Sequence, residues 1–582
     1  MPNDSKNLPY NYPDQSEEKV YQPSWGLFAN QDIPFKDGIS GSINITITAQ
    51  TNICVGGEQI KNEDEPNVTQ FYKLPDGQYA IPWSSVKGMV RSLMKAATFG
   101  RADQVTDEYS GIRRRPAGAN TSDYNRLRDE VNDCLGYGFI KKNNDAEPVL
   151  IEYTTYEKIS YENLSQAGFT HNASIEKKYK WYAEQKNNNQ HLNELKGKLV
   201  FGTHCGAREN EHLFSNPVED KPILLTKEQF KRFSDTYIKQ DKSQRRAASQ
   251  CPWQSYWKNQ YEQGQEVPVF LFKDGRNNIK HISMTKLPKF ASNYSTHDML
   301  KKVNPQHLEN VDFDTHLPDH AECILGFTTE SGEIKHNLAG RVNGTPFRLS
   351  EKKQAIESDP LRLLQPRAGH PSTRIQQPYV NEQNNKVPEN ETFYTPLSSA
   401  NPRLRLFNRY YARERVLNDF SNTENNPKLD RRLENLPPGS EFKGTIRFHN
   451  LKACELGALL WVLNWGGDDD CWHNLGSGKP YGYGCITIKT TLDPEEQRFN
   501  YNADVPDDVK QHCIAAFTTS MDAEFPRWEK WENHPRISSL KSIANPKKNA
   551  DLKTPATGFF PYPEPQTYNA MEQNREVLAK PE

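Results

Sequence analysis

Two stretches of this chain, one near its start and one near its end, read as strand followed by helix, and this pairing constrains the fold more than any other feature. Residues 41–57, GSINITITAQTNICVGG, alternate: Ile43, Ile45, Ile47 and Ala49 fall on one side and Asn44, Thr46 and Thr48 on the other. That is the period of a half-buried strand. Residues 79–100, YAIPWSSVKGMVRSLMKAATFG, place Val86, Met89, Val90, Leu93, Met94 and Ala97 at helical spacing. Ser84 or Ser85 is expected as the N-cap and Gly100 as the stop. Near the end, EFKGTIRFHN (441–450) reads as a strand, LKACELGALLWVLN (451–464) as a helix and CITIKTTL (485–492) as a strand. A further strand is expected around Gly340-Arg341-Val342. Two β-α-β halves of this kind make an α+β, ferredoxin-like sheet, the scaffold that RNA-recognition modules also use. A scaffold alone assigns no function.

The other segments arrange themselves around this core. Residues 1–30 read as a polar arm, 31–100 as the first half of the core, and 101–320 as a long insertion that could hold a second, degenerate module. Residues 321–350 supply central strands, 351–435 a basic and aromatic insertion, 436–495 the second half, and 496–582 a C-terminal extension with a short helix and a proline-rich tail. The chain has 582 residues, enough for several core-forming units, but is only 35% hydrophobic. Long polar loops around a smaller core are therefore expected. The formal net charge is -2, so any nucleic-acid surface must be local. Local candidates are Arg113–Arg115 and the basic, aromatic stretches QRRAASQCPWQSYWKNQYEQG and ANPRLRLFNRYYARER. Nine cysteines occur without any Cys-x-x-Cys pair, which argues against a disulfide framework or a zinc ribbon. His204 beside Cys205 stands alone as a metal candidate. The opening residues do not read as a signal peptide, and no apolar run approaches the roughly 20 residues of a membrane span. The expectation is a cytoplasmic protein without membrane contact.

GSGKPYGYG (476–484) looks like a phosphate-binding loop. The Walker pattern fails, because Pro480 stands where a magnesium-binding hydroxyl belongs and His473 where the first glycine belongs. The dinucleotide pattern fails at Tyr481. Both patterns also need a strand before the loop and a helix after it, and here a helix precedes and a strand follows. No nucleotide cofactor is expected. What is left is a glycine-rich turn, or a backbone that approaches an extended polyanion with Lys479 as the charge.

Four segments, in order, resemble those of one family. IPWSSVKGMVRSLM resembles the IPGSSLKGALRS helix of the RAMP superfamily of CRISPR-associated proteins. CILGFTTES…LAGRVNG resembles its central segment, FKGTIRFHNLKACELGALLWVLN the last strand and helix of its backbone-subunit branch, and LGSGKPYGYGCITI its C-terminal glycine loop. The resemblance covers about a third of the chain. It implies a RAMP core with large insertions, in a subunit of a type III CRISPR effector for antiviral defence. Guide RNA, target RNA and other effector subunits are the implied partners. Gly476, Gly478, Gly482 and Gly484 would then bring backbone close to RNA phosphates, with Lys479 adding charge, and Ser84, Ser85, Lys87 and Arg91 would lie along the same RNA. Trp83 departs from the family, which usually has glycine there.

In backbone subunits of this kind, an aspartate after the first strand helps to cleave target RNA with a divalent metal. Here that stretch reads GGEQIKNEDEPN, with Glu58, Glu63, Asp64 and Glu65 as acids. Asp64 is the nearest equivalent by type and place, and Mg2+ or another divalent cation the implied cofactor. Other relatives process guide RNA without metal through a histidine; His204, His370 and His473 are the candidates, with His473 next to the glycine loop. A non-catalytic scaffold for RNA and protein is the third reading.

Overall fold

The computed structural model describes residues 10–14, 19–62, 64–102, 105, 107–113, 127–129, 131, 134–202, 209–238, 252–311, 317–328, 337–362, 406–417, 430–500, 506 and 508–550. Glu63, Arg114, Arg115, His204, Cys205 and His370 lie outside them. The chain forms two compact units. One comprises Met1–Val105, Leu300–Thr395 and Asn401–Glu582, the other Thr106–Met299 and Pro396–Ala400.

In chain order the main elements of the first unit are β1 (Ile39–Ala49), β2 (Gly56–Ile60), β3 (Asn67–Phe71), α1 (Trp83–Ala97), α2 (His320–Leu325), β4 (Phe347–Leu349), β5 (Asp430–Asn435), β6 (Glu441–Leu451), α3 (Ala453–Asn464), β7 (Cys485–Thr491), α4 (Val509–Glu524) and α5 (Pro535–Ala544). The central sheet runs β7–β1–β6–β4, with every neighbour antiparallel. β1 and β4, joined through α1, flank β6; β6 and β7, joined through α3, flank β1. This is the interleaved order of a ferredoxin-like fold. The alternation in β1 sets its register. Ile43, Ile45, Ile47 and Ala49 are buried, and Ile43 and Ile47 face Ile446 and Phe442 of β6. Each such side chain contributes roughly 1.5–3 kcal/mol by leaving water.

α1 buries the stripe Val86, Met89, Val90, Leu93, Met94 and Ala97. Its N-cap is Pro82 rather than a serine, and the Ser85 N–H donates to the Pro82 carbonyl at 3.1 Å. Pro82 can cap because its ring already holds an extended φ of -68°. The helix ends at Thr98, and Phe99 takes the left-handed turn with φ +55°. Packing of Phe99 against Phe525 at 4.3 Å and against His534 at 4.8 Å offsets that strain. Gly100 was expected in this role, but packing rather than backbone freedom decides the position.

α3 is apolar on all sides and therefore needs cover on two. The sheet covers one side and α4 the other. Gly457 permits the close approach, since a methyl group there would sit 1.9 Å from the Cys513 carbonyl oxygen. Trp531, fully buried, donates its indole N–H to the Ala97 carbonyl at 3.1 Å. Residues 508–550 of the extension thus hold a 16-residue helix and a 10-residue helix packed into the core, where one short helix was expected; the proline-rich tail lies outside the described residues.

The GGEQI part of the acidic stretch that follows the first strand is itself strand β2. It pairs with β3, which runs parallel to β5 in a second, smaller sheet. Thr106–Met299 forms its own unit around a seven-stranded sheet that includes Cys134–Lys142, Pro148–Ser160, Asn210–Pro217 and Val267–Lys273. Its buried pair Lys178–Glu211 closes at 2.8 Å. Among the described residues no helix is long and apolar enough to cross a membrane.

One buried ion pair ties the first unit together. The Arg341 guanidinium meets the Glu455 carboxylate, both fully buried. Arg341 also donates to the Cys323 carbonyl at 3.0 Å and to the Asn450 carbonyl. The other Glu455 oxygen accepts the Lys452 N–H at 2.9 Å and so caps α3. Arg341→Met should cost about 3–5 kcal/mol, because it leaves a buried carboxylate uncompensated. Arg341→Met with Glu455→Gln should recover part of the loss, read as the denaturant midpoint followed by tryptophan fluorescence.

Candidate nucleic-acid interface

The first turn of α1 presents Ser84 exposed and Ser85 half-buried. Trp83, where the resemblance expects glycine, lies over Gly344; a methyl group there would be 2.7 Å from the indole. Lys87 is half-buried and has no ion pair or hydrogen bond among the described residues. Burial, and then the nearby Arg91, holds its ammonium below the ordinary lysine range.

Arg91 is used differently from the expectation. Its guanidinium donates to the carbonyls of Leu325 at 2.8 Å and Gly326 at 2.9 Å. Together with the Cys323 bond from Arg341 and the Ile324 bond from the Arg341 N–H at 2.9 Å, four successive carbonyls at the end of α2 are satisfied. Lys95, four residues after Arg91 as Arg91 is after Lys87, completes a basic stripe along α1 and is buried against Asp319 at 3.4 Å. The basic stripe of α1 is therefore mostly structural, and Lys87 is the member whose charge is left over.

The glycine loop joins the short strand His473–Asn474 to β7. Gly476, Gly478, Gly482 and Gly484 all have positive φ, between 72° and 87°. Methyl groups at Gly476 and Gly484 would lie 2.2 Å from the Cys54 carbonyl oxygen and 1.9 Å from that of Leu475. The glycines are thus required by the chain's own backbone, whatever else approaches. The loop is held by Ser477 N–H to Cys54 O at 2.8 Å, Gly484 N–H to Asn52 O at 2.8 Å and the Thr51 hydroxyl to Gly482 O at 2.7 Å. The amides of Gly478 and Lys479 have no hydrogen-bond partner among the described residues. Lys479 is half-buried with its Nζ 5.9 Å from the centre of the Tyr410 ring. Burial, and then Arg409, lowers its pKa.

Residues 406–415 of the basic, aromatic stretch read in the sequence, with Val416 and Leu417 after them, run between the loop and α1. The Leu417 N–H donates to Tyr481 O at 2.9 Å, and Asn474 donates to Tyr410 O at 3.0 Å. Arg409 reaches the other way, its guanidinium 3.0 Å from the Ser92 hydroxyl of α1. The sequence marked this stretch as basic and aromatic but could not single out Arg409, because its contacts are to residues far along the chain.

Asp64 and Glu65 are exposed at the tip of the β2–β3 hairpin. Among the described residues no three His, Cys, Asp or Glu side chains come together to hold a metal ion. Asp64 offers one carboxylate, and Mg2+ there would need water and substrate phosphate oxygens for its other ligands. His473 is buried: its Nε2–H donates to the Leu463 carbonyl at 2.9 Å and its ring stacks on Trp465 at 5.3 Å. Burial lowers its pKa to about 4. In this position it is a packing group, closed off from a substrate.

A family model for the RAMP superfamily matches residues 46–487, from within β1 to within β7. The chain belongs to the RAMP superfamily. A solved structure described as the cryo-EM structure of the Type III-B Cmr-beta bound to cognate target RNA is similar at 11% identity, over 78% of this chain and 98% of that chain, with a TM-score of 0.18. No curated protein matches the chain.

The histidine chemistry gives a pH signature. The unfolded chain protonates His473 near 6.5 and the folded chain only near about 4. Between those values the unfolded state binds more protons, so stability falls as pH drops from about 6.5 to about 4. His307 and His320, also held near about 4 by burial, act in the same direction. His473→Phe should flatten, without abolishing, the fall in denaturant midpoint between about pH 7.5 and about pH 5.

Proposed function

We propose that this chain is an RNA-binding subunit of a type III CRISPR effector, that it holds guide RNA by the phosphate backbone, and that target RNA and other effector subunits are its partners. One observation carries the reading. α1 and the glycine loop lie near opposite ends of the matched span, and Leu406–Leu417 contacts both, with Arg409 on Ser92 in the second half of α1 and Leu417 on Tyr481 of the loop. Lys87, Arg409 and Lys479 have no carboxylate partner among the described residues, in a chain of net charge -2. A local positive surface of this kind suits phosphate contacts, which position RNA without reading its sequence. Ser84 and Ser85 stand at the same helix start and suit hydrogen bonds to phosphate oxygens.

Target cleavage is the further part of the reading. Asp64 would hold a divalent ion together with RNA oxygens, and the ion would stabilise charge on the phosphodiester being cleaved. The chain's own contribution is to place that carboxylate on a hairpin tip clear of the core. Nothing favours His473 as an alternative, given its burial.

The test is to purify the chain with its companions and sequence the nucleic acid that comes with it. CRISPR repeat–spacer RNA is the expected result. Absence of bound RNA, with no binding at low salt, would replace this reading with a protein scaffold. Complementary target RNA is then added with Mg2+ or with EDTA. Asp64→Ala should retain RNA and lose cleavage, and cleavage that persists in EDTA would remove the metal from the mechanism.

A further inference from the structure

The central sheet has a second face. α1 and α3 pack on the side that carries Ile43, Ile45, Ile47, Phe442 and Ile446. The alternate residues of the same strands point the other way and are half-buried or exposed. Register lines them up in rungs. Lys489 of β7, Thr46 of β1, Lys443 of β6 and Arg348 of β4 stand side by side across four strands. Asn44 opposite Thr445 forms the next rung, and Ser42 opposite Arg447 the one after. Lys443 and Lys489 are two strands apart, about 10 Å, and Lys443 and Arg447 are four residues apart, about 13 Å along β6.

The charges on this face are left unbalanced. Arg348 is paired with Asp76 at 2.7 Å. Lys443, Arg447 and Lys489 are exposed and make no ion pair or hydrogen bond among the described residues. Two acids bound the face at its ends: Glu441, two residues before Lys443, and Glu496, which accepts the Ser42 hydroxyl. Neither pairs with the three cations. Lysines commonly guard the open edges of sheets. β6 is an inner strand with β1 on one side and β4 on the other, so edge protection does not account for Lys443 and Arg447. Setting Lys443 directly opposite Arg348 is itself unfavourable, since like charges across a strand pair repel.

We infer that this open face, through Lys443, Arg447 and Lys489, binds the phosphate backbone of a single-stranded RNA segment, on the side of the sheet away from α1. It rests on the reading of this chain as an RNA-binding subunit and gives that subunit a second surface, with no side chain in common with the first. Charge selects the occupant: in a chain of net charge -2, three unpaired cations on one polar face complement a polyanion. No Phe, Tyr or Trp stands at the outward positions of β1, β6 and β7, so the face holds backbone and does not stack bases. Between the cations lie hydroxyls and an amide. The Thr445 hydroxyl donates to Asn44 Oδ1 at 3.2 Å, which leaves the Asn44 NH2 as a donor. Such groups suit contacts to the ribose 2′-hydroxyl, which tells RNA from DNA.

Lysine acetylation footprinting of the full chain, with and without a single-stranded RNA of mixed sequence, reads the face residue by residue. RNA should protect Lys443 and Lys489 as well as Lys87. Fluorescence anisotropy on the same RNA then measures the charges. Lys443→Gln, Arg447→Gln and Lys489→Gln combined should lower the slope of log K against log salt by about 2, roughly 0.7 for each contact, and weaken binding about a hundredfold at about 0.1 M salt. The loss should be equal for unrelated sequences. Lys443→Arg with Arg447→Lys, which keeps both charges, should bind as the parent does, and so should Lys258→Gln at the surface ion pair with Glu262. Thermal midpoints are measured alongside; if the triple variant is destabilised, the footprint of the parent still decides. If the parent binds no RNA, the RNA-binding reading fails and this surface with it. If RNA binds and protects Lys87 and Lys479 while Lys443 and Lys489 react as in the free chain, this inference alone fails. Single-stranded DNA of the same sequence should bind more weakly and protect Lys443 and Lys489 less; equal protection would overturn the assignment of the face to RNA.

Discussion

The buried contact between Arg341 and Glu455 holds the first unit's core in register. Arg341 bonds to the Ile324, Cys323 and Asn450 carbonyls, and its own carbonyl accepts the His449 N–H at 2.9 Å. One residue therefore joins the end of α2, strand β6 and the start of α3. Glu455 neutralises it and caps α3 with its second oxygen. A guanidinium at this depth is tolerable only because every neighbour supplies an acceptor. The same logic extends to α1, where Arg91 takes the next two carbonyls after α2 begins to end. The polar groups at this junction leave few alternatives for how the two β-α-β halves interleave.

The glycine loop and the α1 stripe show how a sequence motif can have two masters. Four glycines in nine residues suggest a backbone that something approaches closely. The approach is real, but the neighbours are the chain's own backbone, the Asn52, Cys54 and Leu475 carbonyls. Likewise Lys87, Arg91 and Lys95 read alike at spacing four. Burial separates them: Lys95 is paired with Asp319, Arg91 is spent on carbonyls, and Lys87 has neither a counter-ion nor a hydrogen bond among the described residues. A ligand-facing role for such motifs rests on the groups left over after the fold has taken its share.

The second unit has its own sheet and its own buried ion pair, Lys178–Glu211. Its sequence is hard to order because its strands are short on simple alternation and rich in tyrosine, lysine and glutamate. Two kinds of packing hold it. One buried cluster is largely aliphatic, with Ile140, Leu150, Leu213, Val267 and Leu271 among its members. The other is aromatic: Tyr137 stacks on Tyr156 at 4.6 Å, and Phe214 meets Phe139 at 5.7 Å and Phe270 at 5.5 Å.

The sequence by itself determined the strand period of β1, the apolar face of α1, the apolar character of α3 and hence the two β-α-β halves, because these depend on local periodicity alone. It also marked the glycine loop and the basic, aromatic stretch around Arg409. Contacts between distant residues lay beyond it. Periodicity could not show that α4 covers α3, that Phe99 rather than Gly100 makes the turn after α1, or that the acidic stretch begins as a strand. Nor could it distinguish Lys87 from Arg91, or bring Arg409 to Ser92 and Lys479. Those outcomes depend on which groups the folded chain encloses and which it neutralises, and only the tertiary structure decides that.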